Sequence, residues 1–336
     1  MVTIGAEQNL IKRLIIKYPI LPTLALFIAM FIIFSIISPR TFAGANIFLS
    51  PGNMWNIFES TAGFSIGAFA MTLILLVGCI DLSCEGVIAL SAVVLGLCLE
   101  TYKLSFGLSI LITLGIGAAC GIINSVVVIR FKVPSFLATI SVSFIFVGLA
   151  YTVSHSKAIL IQSNNSTLVS IFGSIGSGAS FLNAPVLLWW TVVFLALYYM
   201  LISRSKYGRW AQATGGNEYS AFSSGINVNM FRWIPFVLMG IAAAFIGIIF
   251  CARLGAASAN YGNTYSLKFI IAAILGGTGF SGEGGNVFGT LLGSLVMGVL
   301  TNGLSIMGID IYFQNVITGI VIVMSVIFSI YLQKQR

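Results

Sequence analysis

From Ile20 to about residue 332 the chain is a succession of apolar runs of about twenty residues, separated by short polar connectors. At a rise of about 1.5 Å per residue, runs of that length match a hydrocarbon core of about 30 Å. In such a core every backbone N–H and C=O must be paired within the protein, which leaves helices as the natural reading of these runs. Composition agrees: 58% of the 336 residues are apolar and 7% charged, against roughly 25% charged in an ordinary soluble domain. The expected fold is all-α, a polytopic transmembrane helix bundle. About ten spans are placed near residues 20–38, 57–78, 83–100, 105–129, 134–154, 184–202, 233–252, 266–280, 287–304 and 310–331. That accounts for residues 1–336 as a single transmembrane domain.

The first apolar run follows Lys12, Arg13 and Lys17, as a secretory leader would, but it is longer than a leader core and ends in Ser38-Pro39-Arg40. It is read as an uncleaved first helix. With an even number of spans both termini share a side. Placing them in the cytoplasm puts Lys12, Arg13, Lys17, Arg130, Lys132, Arg204, Lys206, Arg209, Arg232, Lys334 and Arg336 inside. Arg40, Lys103, Lys157, Arg253 and Lys268 then fall outside, eleven against five. That is the bias of a protein inserted positive-inside, and the reverse orientation inverts it. Multi-pass insertion in a bacterial cytoplasmic membrane accounts for the net charge of +8 without nucleic acid, since the basic residues form no single face.

Several chemistries are excluded at this level. The five cysteines form no Cys-x-x-Cys pair and the single His155 lies in a different segment, so neither metal nor cofactor is expected. No phosphate-binding Gly-x-x-x-x-Gly-Lys, Gly-x-Ser-x-Gly or His-Glu-x-x-His occurs, and no catalytic residues are assigned. Any energy source must then be an ion gradient or another polypeptide.

Two glycine-broken segments interrupt the apolar pattern: Val77-Gly78-Cys79-Ile80-Asp81-Leu82-Ser83-Cys84-Glu85-Gly86, and Leu275-Gly276-Gly277-Thr278-Gly279-Phe280-Ser281-Gly282-Glu283-Gly284-Gly285. Their similar spelling hints at an internal repeat, and such breaks point to a solute path. Asp81, Ser83, Gly276 and Gly277 are the candidate path residues. Asp81 has two readings, a cap on the helix that follows and a charge facing a polar cavity. Glu59 and Glu100 read as solvated helix ends, and Trp189-Trp190 with Tyr198-Tyr199 as an interfacial aromatic belt. Two connectors are long, an outer one at about 155–183 and an inner one at about 203–232, the latter with Gly215-Gly216 and Ser224-Gly225.

Three stretches resemble the ribose-type permease family of ABC sugar importers, over about residues 58–328. They are Gly78-Cys79-Ile80-Asp81-Leu82-Ser83; Ala213-Thr214-Gly215-Gly216-Asn217-Glu218 with Ala221 and Ser224-Gly225-Ile226-Asn227-Val228; and Ile271-Ala272-Ala273 through Gly276-Gly277-Thr278 and Gly282 to Gly289-Thr290 and Gly293. The resemblance implies a type II importer architecture. It also implies an ATP-binding subunit on a separate polypeptide, an extracytoplasmic solute-binding protein and a second permease chain, identical or related. Gly215, Gly216, Asn217, Glu218, Ala221, Ser224 and Gly225 would form the coupling helix that meets the ATPase. Cys79, Cys84-Glu85, Ser266 and Lys268 depart from the family's usual residues, which leaves the solute open among small polar molecules, a monosaccharide or sugar derivative foremost. The competing reading is an ion-coupled secondary transporter using Asp81, Glu85 or Glu59.

Overall fold

The computed structural model describes residues 20–41, 44–161, 172–178, 184–279 and 284–333. Twelve α-helices lie within them, α1 (Leu21–Ile37), α2 (Pro51–Leu76), α3 (Cys84–Gly96), α4 (Phe106–Ser125), α5 (Ser135–Val153), α6 (Val186–Tyr199), α7 (Lys206–Gly216), α8 (Glu218–Ser223), α9 (Val228–Leu254), α10 (Tyr265–Leu275), α11 (Val287–Ile306) and α12 (Ile311–Gln333). Helices α3, α4 and α6 each continue through one π-helical turn, to Thr101, Arg130 and Arg204. Seven of these units are long and apolar enough to cross a membrane. α1, α10 and the start of α12 are shorter apolar helices, so ten apolar segments stand where ten spans are expected. Much of the expected outer connector at 155–183 lies outside the described residues. Its described start, β1 (Ile159–Leu160), pairs antiparallel with β2 (Ala256–Ala257) after α9.

Three boundaries differ from the sequence reading for physical reasons. α2 begins at Pro51 rather than 57, because the Ser50 hydroxyl accepts the Asn53 N–H as an N-cap. α9 begins at Val228 rather than 233, where the Asn227 side chain caps Met230. α10 stops at Leu275 instead of continuing to 280. Its 11 residues reach only about 16 Å, half of a bilayer core.

The core is organised around α2, whose second half is buried continuously from Ile66 to Leu76. It packs against α6, α9, α10 and α11. Two polar links fasten α2 to α11 where lipid offers no competing partner. The Asn53 and Asn302 amides exchange reciprocal hydrogen bonds of 3.1 and 2.9 Å, and the Thr72 and Thr290 hydroxyls meet at 2.8 Å. Tyr198 is buried and stacks near Phe69, and the Trp190 ring packs edge-on against Phe245 at 4.8 Å. These two rings therefore face neighbouring helices, which corrects the belt assigned to them from sequence.

The reciprocal amide pair gives a stability test. Asn302→Leu removes both links from the buried Asn53 amide, leaving its oxygen without a donor and its nitrogen with the Phe48 carbonyl alone, and is expected to cost about 1–2 kcal/mol. Thermal unfolding in detergent should show Asn302→Leu less stable than the double variant Asn53→Leu/Asn302→Leu. Equal destabilisation by both would contradict the pairing.

Candidate functional site

The two glycine breaks have the same backbone geometry. At the end of α2, Gly78 adopts φ +71°, its N–H donates to the Leu75 carbonyl at 2.9 Å and the Cys79 N–H donates to Ile74 at 3.1 Å. At the end of α10, Gly277 adopts φ +90°, its N–H donates to Ile274 at 2.9 Å and the Thr278 N–H donates to Ala273 at 3.1 Å. Each is a Schellman closure, which needs a left-handed residue and so selects glycine. Gly225 after α8 and Gly308 after α11 close their helices in the same way.

Groups freed at the breaks are paired by neighbouring helices, as an apolar surrounding demands. Beyond Gly78, the Ser135 hydroxyl of α5 accepts the Ile80 N–H and the Thr139 hydroxyl accepts the Leu82 N–H, both at 3.0 Å. The Ser266 hydroxyl of α10 donates to the Leu82 carbonyl at 3.0 Å and accepts from the Cys84 thiol at 3.0 Å. Ser266 and Cys84 thus form one contact. At the second break Thr23 of α1 donates to the Leu275 carbonyl.

Asp81 is 1% exposed. Its carboxylate accepts the Ser83 N–H at 2.8 Å and the Ser83 hydroxyl at 2.7 Å, and Ser83 in turn accepts the Asn124 amide of α4 at 2.6 Å. Among the described residues it has no Lys or Arg partner. This is the geometry of a turn that feeds α3, held by a three-residue hydrogen-bonded chain. Gly276 lies in a backbone contact: a Cβ there would sit 2.5 Å from the Gly289 carbonyl carbon of α11. A cavity of about 110 Å³ lies toward the other end of α2, and none of Asp81, Ser83, Gly276 or Gly277 is in its lining.

The connector at 203–232 is largely helical, since α7 and α8 occupy most of it. Pro235 inside α9 has no N–H to give the Phe231 carbonyl four residues before it. The Tyr207 hydroxyl of α7 donates to that carbonyl at 3.0 Å, and the Tyr207 and Trp210 rings pack on Phe231 at 5.2 and 5.3 Å. Further along α7, Gly215 lies against the first break. A Cβ there would meet the Leu76 carbonyl oxygen and stand 2.9 Å from the Gly78 nitrogen. Gly216 is different: its φ is ordinary and its missing Cβ would point into open space. Of the glycines flanking α8, Gly225 at φ +81° makes a sharp turn and Gly216 makes none.

α8 is a six-residue helix capped by the Asn217 side chain, which accepts the Ser220 N–H at 2.9 Å. Ala221 faces inward, Glu218 pairs with Arg232 of α9 at 2.9 Å, and Tyr219 and Phe222 project with 79% and 70% exposure. The two large rings form a short apolar tip on a polar, charged connector.

The model for the permease component of branched-chain amino acid transport systems matches residues 53–326. The chain belongs to this permease family. Among its relatives, the ribose import permease of Escherichia coli K12 is 34% identical over 83% of this chain and 86% of that protein. The ribose import permease of Bacillus subtilis is 35% identical, covering 92% and 91%. The fructose import permease of Rhizobium meliloti is 30% identical, covering 85% and 80%. The resemblance drawn from the three stretches is thus borne out across most of the permease.

Sequence reasoning set Glu59 aside as a solvated helix end. In the permease it pairs with Arg253 at 2.8 Å across α2 and α9. Nothing in the sequence signals a partner 194 positions away; only the opposite charges on two apolar helices could have suggested it.

The two neighbouring glycines give a sharp contrast. Gly215→Ala should abolish solute uptake by forcing α7 off the α2 break, whereas Gly216→Ala should retain uptake within about twofold, its Cβ meeting nothing. Radiolabelled uptake in cells with matched membrane levels checks both, and a fully active Gly215→Ala would contradict the contact.

Proposed function

We propose that the chain is the membrane permease subunit of an ATP-driven importer, and that its solute is a monosaccharide or sugar derivative. One observation carries the mechanism: α8, which exposes Tyr219 and Phe222, follows through Asn217 directly on α7, whose Gly215 touches the backbone of the first glycine break. A partner that grips α8 therefore holds a lever whose other end rests on α2 and, through Gly78, on the Asp81 turn.

In this reading an ATP-binding subunit receives α8 in a groove, the two rings supplying apolar anchors. ATP is hydrolysed on that subunit and not on this chain. Both termini and the 203–232 connector are cytoplasmic, as the distribution of basic residues favours. A solute-binding protein delivers the solute on the other side, and a second permease chain, identical or related, completes the path. Asp81, Ser83, Gly276 and Gly277 line or shape that path by fixing where α2 and α10 end. Relatives named as ribose and fructose import permeases support a sugar as solute. They also favour this reading over ion-coupled transport through Asp81, Glu85 or Glu59.

Mechanically, the contacts suggest a rigid seam. α7 is fastened to α9 through Tyr207 and Phe231, and α8 through Glu218 and Arg232. Displacement of α8 is thus shared between α9 and the α2 terminus, and the breaks give the half-helices room to tilt.

Phe222→Asp, which puts a charge into the apolar tip, should leave membrane insertion unchanged and reduce recovery of the ATP-binding subunit on affinity purification by at least about tenfold, the effect of losing one interface anchor. Uptake should fall in parallel. Normal ATPase recovery with normal uptake would overturn α8 as the coupling helix. Asp81→Asn separates the two readings of that residue: asparagine can still accept the Ser83 hydrogen bonds. Near-normal uptake marks Asp81 as a structural turn, and a severe loss with intact assembly marks its charge as part of the path.

A further inference from the structure

The cavity of about 110 Å³ lies between the first half of α2, the start of α6, the last turns of α9, the start of α10 and the end of α11. Gly63 on its wall is about 22 Å along the chain's helical rise from Gly78, so the cavity sits well away from the coupling seam. On the topology proposed above this is the outer half of the membrane.

Three kinds of group converge on it. Glu59 and Arg253 form the 2.8 Å ion pair, with 25% and 35% of their side chains exposed. Ser60 and Thr301 contribute hydroxyls. Phe64 and Tyr265 contribute apolar wall, their ring centroids 5.2 Å apart and their planes inclined by 37°. Lys268 is close by but outside the lining. Its ammonium lies over the Phe64 and Tyr265 rings at 5.5 and 5.3 Å from their centroids, where the ring faces attract it.

The charges in the lining balance. An anion or a cation entering would meet a like charge as well as an opposite one, so neither is selected. An uncharged vicinal diol meets the same pair favourably, because its O–H groups donate to the Glu59 carboxylate while its oxygens accept from the Arg253 guanidinium. Such charge-assisted bonds are the stronger kind. The hydroxyls of Ser60 and Thr301 extend the pattern, and the two rings offer an apolar surface for the C–H face of a ring solute. At roughly 30 Å³ per water the cavity has room for about four waters, the edge of a sugar ring rather than all of it.

We propose that this cavity is a solute site that seats the hydroxylated edge of an uncharged sugar, with Glu59 and Arg253 as its polar contacts and Phe64 and Tyr265 as its apolar wall. The proposal rests on the reading of the chain as a sugar importer and assigns that reading a specificity site within one subunit.

The test is cysteine protection on the permease with its ATP-binding subunit in lipid nanodiscs. Gly63→Cys suits it, since a Cβ at Gly63 meets only the Tyr265 ring, at 3.9 Å. Ser60→Cys is a near-isosteric second variant should Gly63→Cys fail to fold. The native cysteines are buried, and wild-type labelling is subtracted. A small water-soluble methanethiosulfonate should label both variants well above wild type. D-ribose, D-fructose or D-allose should slow that labelling several-fold, while D-gluconate and D-glucosamine should not. Adding Glu59→Gln should weaken the protecting sugar by about tenfold, the loss of one charge-assisted hydrogen bond. No labelling, no protection by any of the three sugars, or equal protection by the charged analogues would each overturn the site. ATP-driven uptake, measured separately, tests the import reading. Protection without uptake would fault import and leave the site standing, and uptake without protection would overturn the site alone.

Discussion

A helix that ends within a membrane domain leaves carbonyls and N–H groups that need partners, each costing on the order of several kcal/mol if buried unpaired. The permease ends two helices in this way, at Gly78 and at Gly277, and much of its architecture follows from how those ends are paired. Schellman closures take up the carbonyls of Ile74, Leu75, Ala273 and Ile274. Ser135 and Thr139 of α5, Ser266 of α10 and Thr23 of α1 supply further partners. These hydroxyls come from helices far apart in sequence, so pairing the breaks also fixes how α1, α5 and α10 sit around α2.

The same requirement joins the connector to the membrane domain. Pro235 leaves the Phe231 carbonyl without its helical donor, and Tyr207 of α7 supplies one. Gly215 brings α7 against the very backbone where α2 ends. The exposed tip at Tyr219 and Phe222 is therefore mechanically continuous with the break and with the Asp81–Ser83–Asn124 chain beyond it. A loop tethered only at its ends could move without consequence; one keyed into a helix terminus cannot.

Much of this was legible in the sequence because hydropathy and glycine placement report on lipid and on backbone directly. The ten apolar segments, the two breaks and the special connector follow from those signals. Other features depended on partners that sequence spacing does not encode. α10 stops at Leu275 because Gly277 closes it, five residues before the expected end of the span at 280. The Gly215-Gly216 pair looks uniform in sequence, yet only Gly215 has backbone against it. Glu59 resembled a solvated helix end because Arg253 lies on another helix, and Tyr198 resembled an interfacial ring because Phe69 lies on another. Long-range pairing, and not local propensity, decided each of these cases.

The central claim is that transport is driven through α8 by ATP and not by an ion gradient through a buried carboxylate. The direct measurement is sugar accumulation by the full importer in proteoliposomes supplied with ATP on the ATPase side and the solute-binding protein on the other, with proton and sodium gradients collapsed by ionophores. The account requires accumulation to persist under the ionophores and to stop when a non-hydrolysable ATP analogue replaces ATP. Accumulation that ignores ATP and disappears with the gradients would contradict it.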